Sequence, residues 1–432
     1  MTKTDLNQRK FTPSLIKNNG TKTFVSSLIS IIIGLLAGAI IIFLIGLFNE
    51  KISLKTTYEG IKLIIFGIFS TGRDASGELA FGFNPVNIGN LFFRATPVIM
   101  TGLSVAVAFK TGLFNIGAPG QYLLGTAASL FVALSVPSNK IPVTLIWLLA
   151  FISSMLAGAL WGAIPGILKA RFNINEVLSC IMTNWIAANV VTAFFRNSSL
   201  RNTSESGKIG YVMPAVKNGV STTKLGLNAL FPGSQVNAGI IIAVIAAVII
   251  YILITKTTIG YELKTCGNNK NAAKYAGIKD KRNIILSMAL SGALSSMGAA
   301  LYYLSGNTEF FWSTYQNLPA EGFNGIPIAL LAANNPLGVI FTGIFMSALS
   351  IAGQQLKNLT AFNEHISDII ISIIVYLSAF SLLIKELVSG NSNLFKRHTN
   401  ISSPVPTNSD KEILSELSEK NLERNAEKSD NK

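Results

Sequence analysis

The side chains that usually do chemistry are scarce and scattered in this chain of 432 residues. Cys180 and Cys266 lie far apart and frame neither a disulfide network nor a metal site. His365 and His398 fall in separate loops, so no imidazole pair is set up to bind zinc or relay protons. No G-x-x-x-x-G-K-[ST] segment exists to cradle a nucleotide phosphate. Uncharged amides within apolar runs are the conspicuous polar groups: Asn115, Gln121, Asn184, Asn324 and Asn334, with Asn335 and Gln354 beside them. Amides offer donors and acceptors without trapping a charge, which suits a path for a neutral, hydrogen-bonding solute. Trp185, next to Asn184, could stack on a flat ring. The same residues also serve helix packing, so their chemistry leaves both uses open.

Charged groups are kept out of the apolar runs. Glu176 and Asp368 stand at run starts, and Arg94 stands near a run end, where it can snorkel. A carrier driven by protons or sodium holds its ion near mid-membrane, so this pattern counts against one. It also counts against a membrane enzyme, and the chain reads as no enzyme.

The elements that must position these amides are helices. Half of the residues are hydrophobic and only 13% are charged, against about a quarter in soluble domains. Ten apolar runs predict helices: Phe24–Phe48, Leu91–Phe109, Ala118–Pro137, Ile141–Leu168, Glu176–Phe195, Asn237–Thr255, Ile284–Leu304, Asn324–Ala333, Pro336–Gln354 and Ile366–Ile384. Phe24–Phe48 has no charge and no small-residue cleavage site after it, so it reads as a retained span. The eighth run is too short to cross a bilayer alone and breaks at Ala333–Gly338, a pattern tolerated only inside protein or beside a polar cavity. Ile61–Phe69 is also too short and reads as interfacial or re-entrant.

The expected fold is an all-α polytopic membrane protein of about ten transmembrane helices. Its parts are an N-terminal arm, 1–23, a transmembrane domain, 24–386, and a polar C-terminal tail, 387–432. In the tail, Ser409 and Glu412 form a capping-box pattern. Most of the 35 basic residues fall on one side if both termini are cytoplasmic, as positive-inside bias prefers. The segment 256–283 is then cytoplasmic. The loop 196–236 is extracytoplasmic, although it is more basic than acidic. The net charge of +14 thus belongs to loops beside membrane lipid, and no nucleic-acid partner is expected.

The segment Gly112–Gln121, "GLFNIGAPGQ", interrupts two apolar runs. Asn115 can cap a helix beginning near Ile116 or Gly117, and Pro119 is tolerated in a first turn. "GFNGIPIALL", Gly322–Leu331, repeats the theme five runs later. Two five-helix halves of inverted topology, with broken helices framing a central path, would produce such a pair. The basic segment 256–283 is punctuated by Gly260, Gly267 and Gly277. Within it, Asn268–Ile278 predicts a short helix bearing Ala272, Ala273 and Tyr275 and stopped by Gly277. It reads equally as a shallow docking surface or as an ordinary basic loop.

Four ordered stretches carry a resemblance: Arg94–Gly125, Phe172–Ala187, Gly260–Ile278 and Gly322–Gly338. Over about 24–386 the chain resembles the permease subunit of an ABC-type importer, in the branched-chain amino acid and simple-sugar permease superfamily, and is most similar to nucleoside-type members. Pro119 departs from the acidic residue common there, and the tail from Asn391 is longer than usual. The resemblance implies inward transport of nucleosides, purine ones foremost, across a bacterial cytoplasmic membrane. It implies four partners: an ATPase subunit that hydrolyses ATP, a second homologous permease forming a heterodimer, a lipid-anchored substrate-binding protein and membrane lipid. It implies no cofactor on this chain and a coupling role for Gly260, Gly267, Asn268, Ala272, Ala273, Tyr275 and Gly277. A simple-sugar permease and an ion-coupled carrier are the alternatives.

Overall fold

A computed structural model describes residues 19–49, 52–196, 198–202, 210–314, 316–363 and 365–379. The expectations for the extreme N-terminal arm, the middle of the 196–236 loop and the C-terminal tail, including His398 and the Ser409–Glu412 pattern, lie outside these residues.

Fourteen helices run through the described chain: α1 Asn19–Phe48, α2 Leu54–Phe66, α3 Pro85–Lys110, α4 Ala118–Ser135, α5 Val143–Phe172, α6 Glu176–Arg196, α7 Leu227–Leu230, α8 Gly239–Lys256, α9 Thr258–Asn268, α10 Lys270–Tyr275, α11 Asp280–Tyr303, α12 Ala320–Leu331, α13 Pro336–Leu359 and α14 His365–Ala379. Each of the ten predicted runs is a helix. Seven helices among the described residues, α1, α3, α5, α6, α8, α11 and α13, are long and apolar enough to cross a membrane. The chain is a multi-pass membrane protein. Of the other three runs, α4 is 18 residues long, α12 is 12 and the described part of α14 is 15. Ile61–Phe69 splits between the end of α2 and a turn of 3₁₀-helix.

The all-α expectation needs one correction. Strands β1 (Ser70–Arg73) and β2 (Leu79–Phe81) form an antiparallel hairpin. Arg73 fastens it. Its guanidinium forks onto the Glu59 carboxylate of α2 at 3.1 and 2.6 Å and also donates to the Leu359 carbonyl at the end of α13. No alternation marks so short a hairpin, so composition missed it.

The tightest packing joins α5 to α11. Buried positions recur every fourth residue along α5, from Ile146 through Ala150, Ser154, Gly158, Gly162 and Gly166 to Ala170. A four-residue repeat of this kind makes one ridge on a helix. Small residues in that ridge let backbones touch, which is how helices associate where apolar burial gives no net drive. Gly292 of α11 meets the Gly158 carbonyl directly, and a Cβ on Gly162 would stand 2.4 Å or so from the Met288 carbonyl. The Ser154 hydroxyl donates to the Ser296 carbonyl at 2.7 Å. At the end of α5, Lys169 pairs with Glu176 at 3.0 Å, which accounts for a carboxylate at the start of α6.

Helices α1, α3, α11 and α12 begin four to six residues earlier than the hydropathy pattern implies. Asn84 caps α3 by accepting from the amides of Val86 and Asn87, with Pro85 in the first turn. This cap extends α3 six residues beyond the predicted start at Leu91. Arg94 therefore sits about 14 Å along the helix from Pro85, at ~1.5 Å per residue. The expectation that it lies at a helix end is overturned.

Two outcomes test this packing. Gly292→Val must part α5 from α11, an overpacking that costs about 1–3 kcal/mol or more. It should remove the monodisperse peak in size-exclusion chromatography, whereas Gly82→Ala, with its nearest neighbour 3.7 Å away, should leave it. An intact Gly292→Val peak would refute the close crossing. The second outcome concerns acid. Arg73 beside Glu59 holds that carboxyl below the usual carboxylate range. A depressed folded value means the contribution is complete above the unfolded value, near pH 4.3, and is lost as pH falls through the folded value. Glu59→Gln should lower stability at neutral pH by about 1–3 kcal/mol and flatten the loss below about pH 4, as read by thermal melts in detergent.

Candidate functional site

The break at Gly112–Gln121 folds back into the bundle. Gly112 has φ +68, a conformation glycine adopts without strain. From there the chain turns inward, and Asn115 reaches Ser291, about midway along α11. Asn115 is fully buried. Its Nδ2 donates to Gln121 Oε1 at 2.8 Å and to Ser291 Oγ at 2.7 Å, and its Oδ1 accepts from the Gly117 amide at 3.0 Å. The side chain of Asn115 does not cap α4 itself. The cap comes from α6, where Asn184 Oδ1 accepts from the Gly120 amide at 2.9 Å and Asn184 Nδ2 donates to the Ile116 carbonyl at 2.9 Å. Hydroxyls of α11 complete the knot. Ser295 donates to the Ala118 carbonyl at 2.8 Å and Ser296 to the Gln121 carbonyl at 2.6 Å. Ser287 meets Thr111. Every buried polar group of a re-entrant turn needs such a partner.

Asn115, Gln121 and Asn184 are thus together in one buried knot. Trp185 points elsewhere. It is 55% exposed on the outer face of α6, in a stripe with Leu178, Ile181, Met182 and Ile186. Asn334 lies in the turn between α12 and α13 at φ +57, and its buried Oδ1 has no partner. The adjacent Asn335 caps α13.

The second break meets the first. A Cβ on Gly322, in the opening turn of α12, would stand 2.5 Å from Pro119 Cα in the opening turn of α4. Thr101 of α3 donates to the Glu321 carbonyl at 2.9 Å. Two helix N-termini therefore meet in the interior, where their dipoles favour electron-rich groups.

Beside them opens a cavity of about 420 Å³ among α3, α11, α12, α13 and α14. Asn324 lines it, with Arg94, Tyr302, Glu321, Ser347 and Asp368. Arg94 donates to Ser350 Oγ at 3.3 Å. Tyr302 stacks on Phe93 with ring centroids 5.4 Å apart. Hydropathy missed Glu321 because it placed the start of α12 at Asn324. Pro319 followed by an acidic residue is a helix-start signal that finds it.

The basic segment 256–283 folds as α9 and α10 and the start of α11. Thr257 caps α9, accepting from the Gly260 amide at 3.1 Å, and Asn269 caps α10, accepting from Asn271 and Ala272 at 3.0 Å. Gly277, at φ +74, stops α10 as the spacing predicted. The seven named residues divide. Asn268, Ala272, Tyr275 and Gly277 are exposed, Tyr275 by 94%, while Gly260 and Ala273 are buried. Gly267 packs on the first break, where a Cβ would stand 2.7 Å from the Lys110 carbonyl and 2.8 Å from the Gly112 nitrogen. The surface segment and the interior knot are therefore in direct backbone contact.

The family described as branched-chain amino acid transport system / permease component matches residues 87–379. The chain is 34% identical over 359 residues to the guanosine ABC transporter permease NupP of Bacillus subtilis, covering 83% of this chain and 93% of that one. It is 35% identical over 376 residues to the nucleoside ABC transporter permease NupB of Lactococcus lactis, covering 86% and 94%. The glucose ABC transporter permease TsgB13 of Haloferax volcanii is 32% identical over 61% of this chain and 68% of its own. NupQ and NupC, ABC permeases of the same two bacteria, are each 23% identical to it. No solved structure matches. A helical bundle with two interior breaks, covered by a family match over most of its length, belongs to the branched-chain amino acid transport system permease family.

Proposed function

We propose that the chain is the permease subunit of an ATP-driven importer of nucleosides, purine nucleosides foremost. The observation that carries this reading is the similarity to NupP and NupB across more than four-fifths of the chain. The interior agrees with it, because neutral amides and hydroxyls surround both breaks. In this reading the path runs past Asn324 and the knot of Asn115, Gln121 and Asn184. Trp185 lies on the face toward a second, similar permease, an arrangement supported by the two permeases each of those bacteria contains. The two breaks relate halves of inverted topology. The chain lies in the bacterial cytoplasmic membrane with both termini cytoplasmic, and a lipid-anchored binding protein delivers substrate outside. It binds no cofactor, and a separate subunit hydrolyses ATP.

Coupling follows from the contact of Gly267 with Gly112. The ATPase docks on the exposed surface of α10, around Ala272 and Tyr275, and its movement passes through α9 to the first break. Lys264, Lys270 and Lys274 bring positive charge to the same segment.

Uptake tests the reading. Cells bearing the full transporter should take up labelled guanosine, and ATP depletion should stop uptake while a protonophore at constant ATP should not. Competition by ribose without competition by guanosine would favour the simple-sugar reading, and collapse with the proton gradient would favour a carrier. Tyr275→Asp should weaken co-purification of the ATPase and uptake by about tenfold or more, since a central interface tyrosine contributes ~2 kcal/mol. Its melting temperature should match the wild type.

A further inference from the structure

The cavity among α3, α11, α12, α13 and α14 holds a cation and a carboxylate that form no ion pair with each other. Among the described residues neither Arg94 nor Glu321 has an ion pair. Both line the same cavity of about 420 Å³, within the ~300–1,000 Å³ range of small-molecule sites. Arg94 sits well inside α3, and its guanidinium donates to the Ser350 hydroxyl at 3.3 Å. Charges at membrane depth are expensive unless paired or turned to a polar cavity, and they mark substrate pathways. A carboxylate in the first turn of α12 gains from the helix dipole. That gain explains why Glu321 is tolerated, but not why it faces a cavity shared with an unpaired guanidinium.

A neutral ligand that offers donors on one edge and acceptors on the other would serve both groups. We infer that the cavity is a binding subsite for 6-oxopurine nucleosides, in which Glu321 and Arg94 read the base. This rests on the nucleoside reading above and deepens it. A carboxylate accepts two hydrogen bonds from the N1–H and exocyclic amine of guanine. A guanidinium donates two to O6 and N7, the commonest specific pairing of arginine with that base. Adenine opposes the carboxylate with an unprotonated N1, and a site built for donors rejects a ligand that lacks them. Tyr302, backed by Phe93, supplies an aromatic wall, while Asn324 and the Ser347 hydroxyl suit ribose. Selectivity then resides partly in this chain and not wholly in the delivering protein.

The test uses the assembled transporter in cells or vesicles, with labelled guanosine and adenosine. Glu321→Gln should reduce guanosine uptake efficiency about tenfold, the effect of losing one bidentate base contact. It should shift the guanosine-to-adenosine ratio toward adenosine, because glutamine pairs well with adenine. Arg94→Gln should also lower guanosine uptake and narrow the ratio. Wild-type transporter photolabelled with 8-azidoguanosine should carry the label on peptides containing Arg94 or Ala320–Leu331, with protection by guanosine and not by adenosine. This measurement stands even if a variant fails to assemble. Unchanged ratios in both variants, or label mapping only elsewhere on the chain, would overturn the subsite while leaving nucleoside transport intact. A wild type that takes up no nucleoside would overturn the transport reading itself.

Discussion

The structure depends on a backbone contact between two long helices. Gly158 and Gly292 bring α5 and α11 together with no side chain between them, and these two helices form the most extensive pair in the bundle. In lipid, apolar burial contributes little to helix association, so close approach and hydrogen bonding must do it. The four-residue ridge of α5 supplies the approach. The hydroxyl of Ser154, which donates across the crossing, adds a hydrogen bond. With α5 on one side, α11 is free to turn its serines toward the first break.

That arrangement solves the main problem of a membrane-embedded turn. Chain that leaves helical geometry exposes amides and carbonyls that lipid cannot satisfy. Here Asn184 takes the Gly120 amide and Ser295 and Ser296 take carbonyls of α4. The amides of the knot are fully engaged by protein. The polar groups of this irregular segment are satisfied by α6 and α11 together, so both helices hold it. A change in either of these helices is felt at the break, and Gly267 extends this connection to the surface helices α9 and α10.

Polarity in the interior therefore takes two forms. The knot is closed, with donors and acceptors matched within the chain. The cavity beside it is open, with Arg94, Glu321 and Asn324 facing space. Matched groups give rigidity, and unmatched ones invite a ligand. The contact of Gly322 with Pro119 places the two within reach of each other, so a ligand in the cavity would lie next to the segment that joins to α9 and α10.

Composition and the spacing of apolar runs were enough to determine the ten helices, the membrane class, the break around Asn115, and the short helix ended by Gly277. These are local properties, set by hydropathy, caps and the φ preference of glycine. Helix starts were less legible where polar caps precede the apolar run, as at Asn84 and Pro319, and this hid the depth of Arg94 and the presence of Glu321. Only the tertiary structure decided which amides are closed in the knot, that Trp185 faces outward while Asn184 faces in, and that Gly267 touches Gly112. Sequence spacing specifies the face of a helix on which a residue lies. It does not specify which other helix meets that face, because partners from α3, α6, α11 and α12 come from distant stretches and are brought together only by packing.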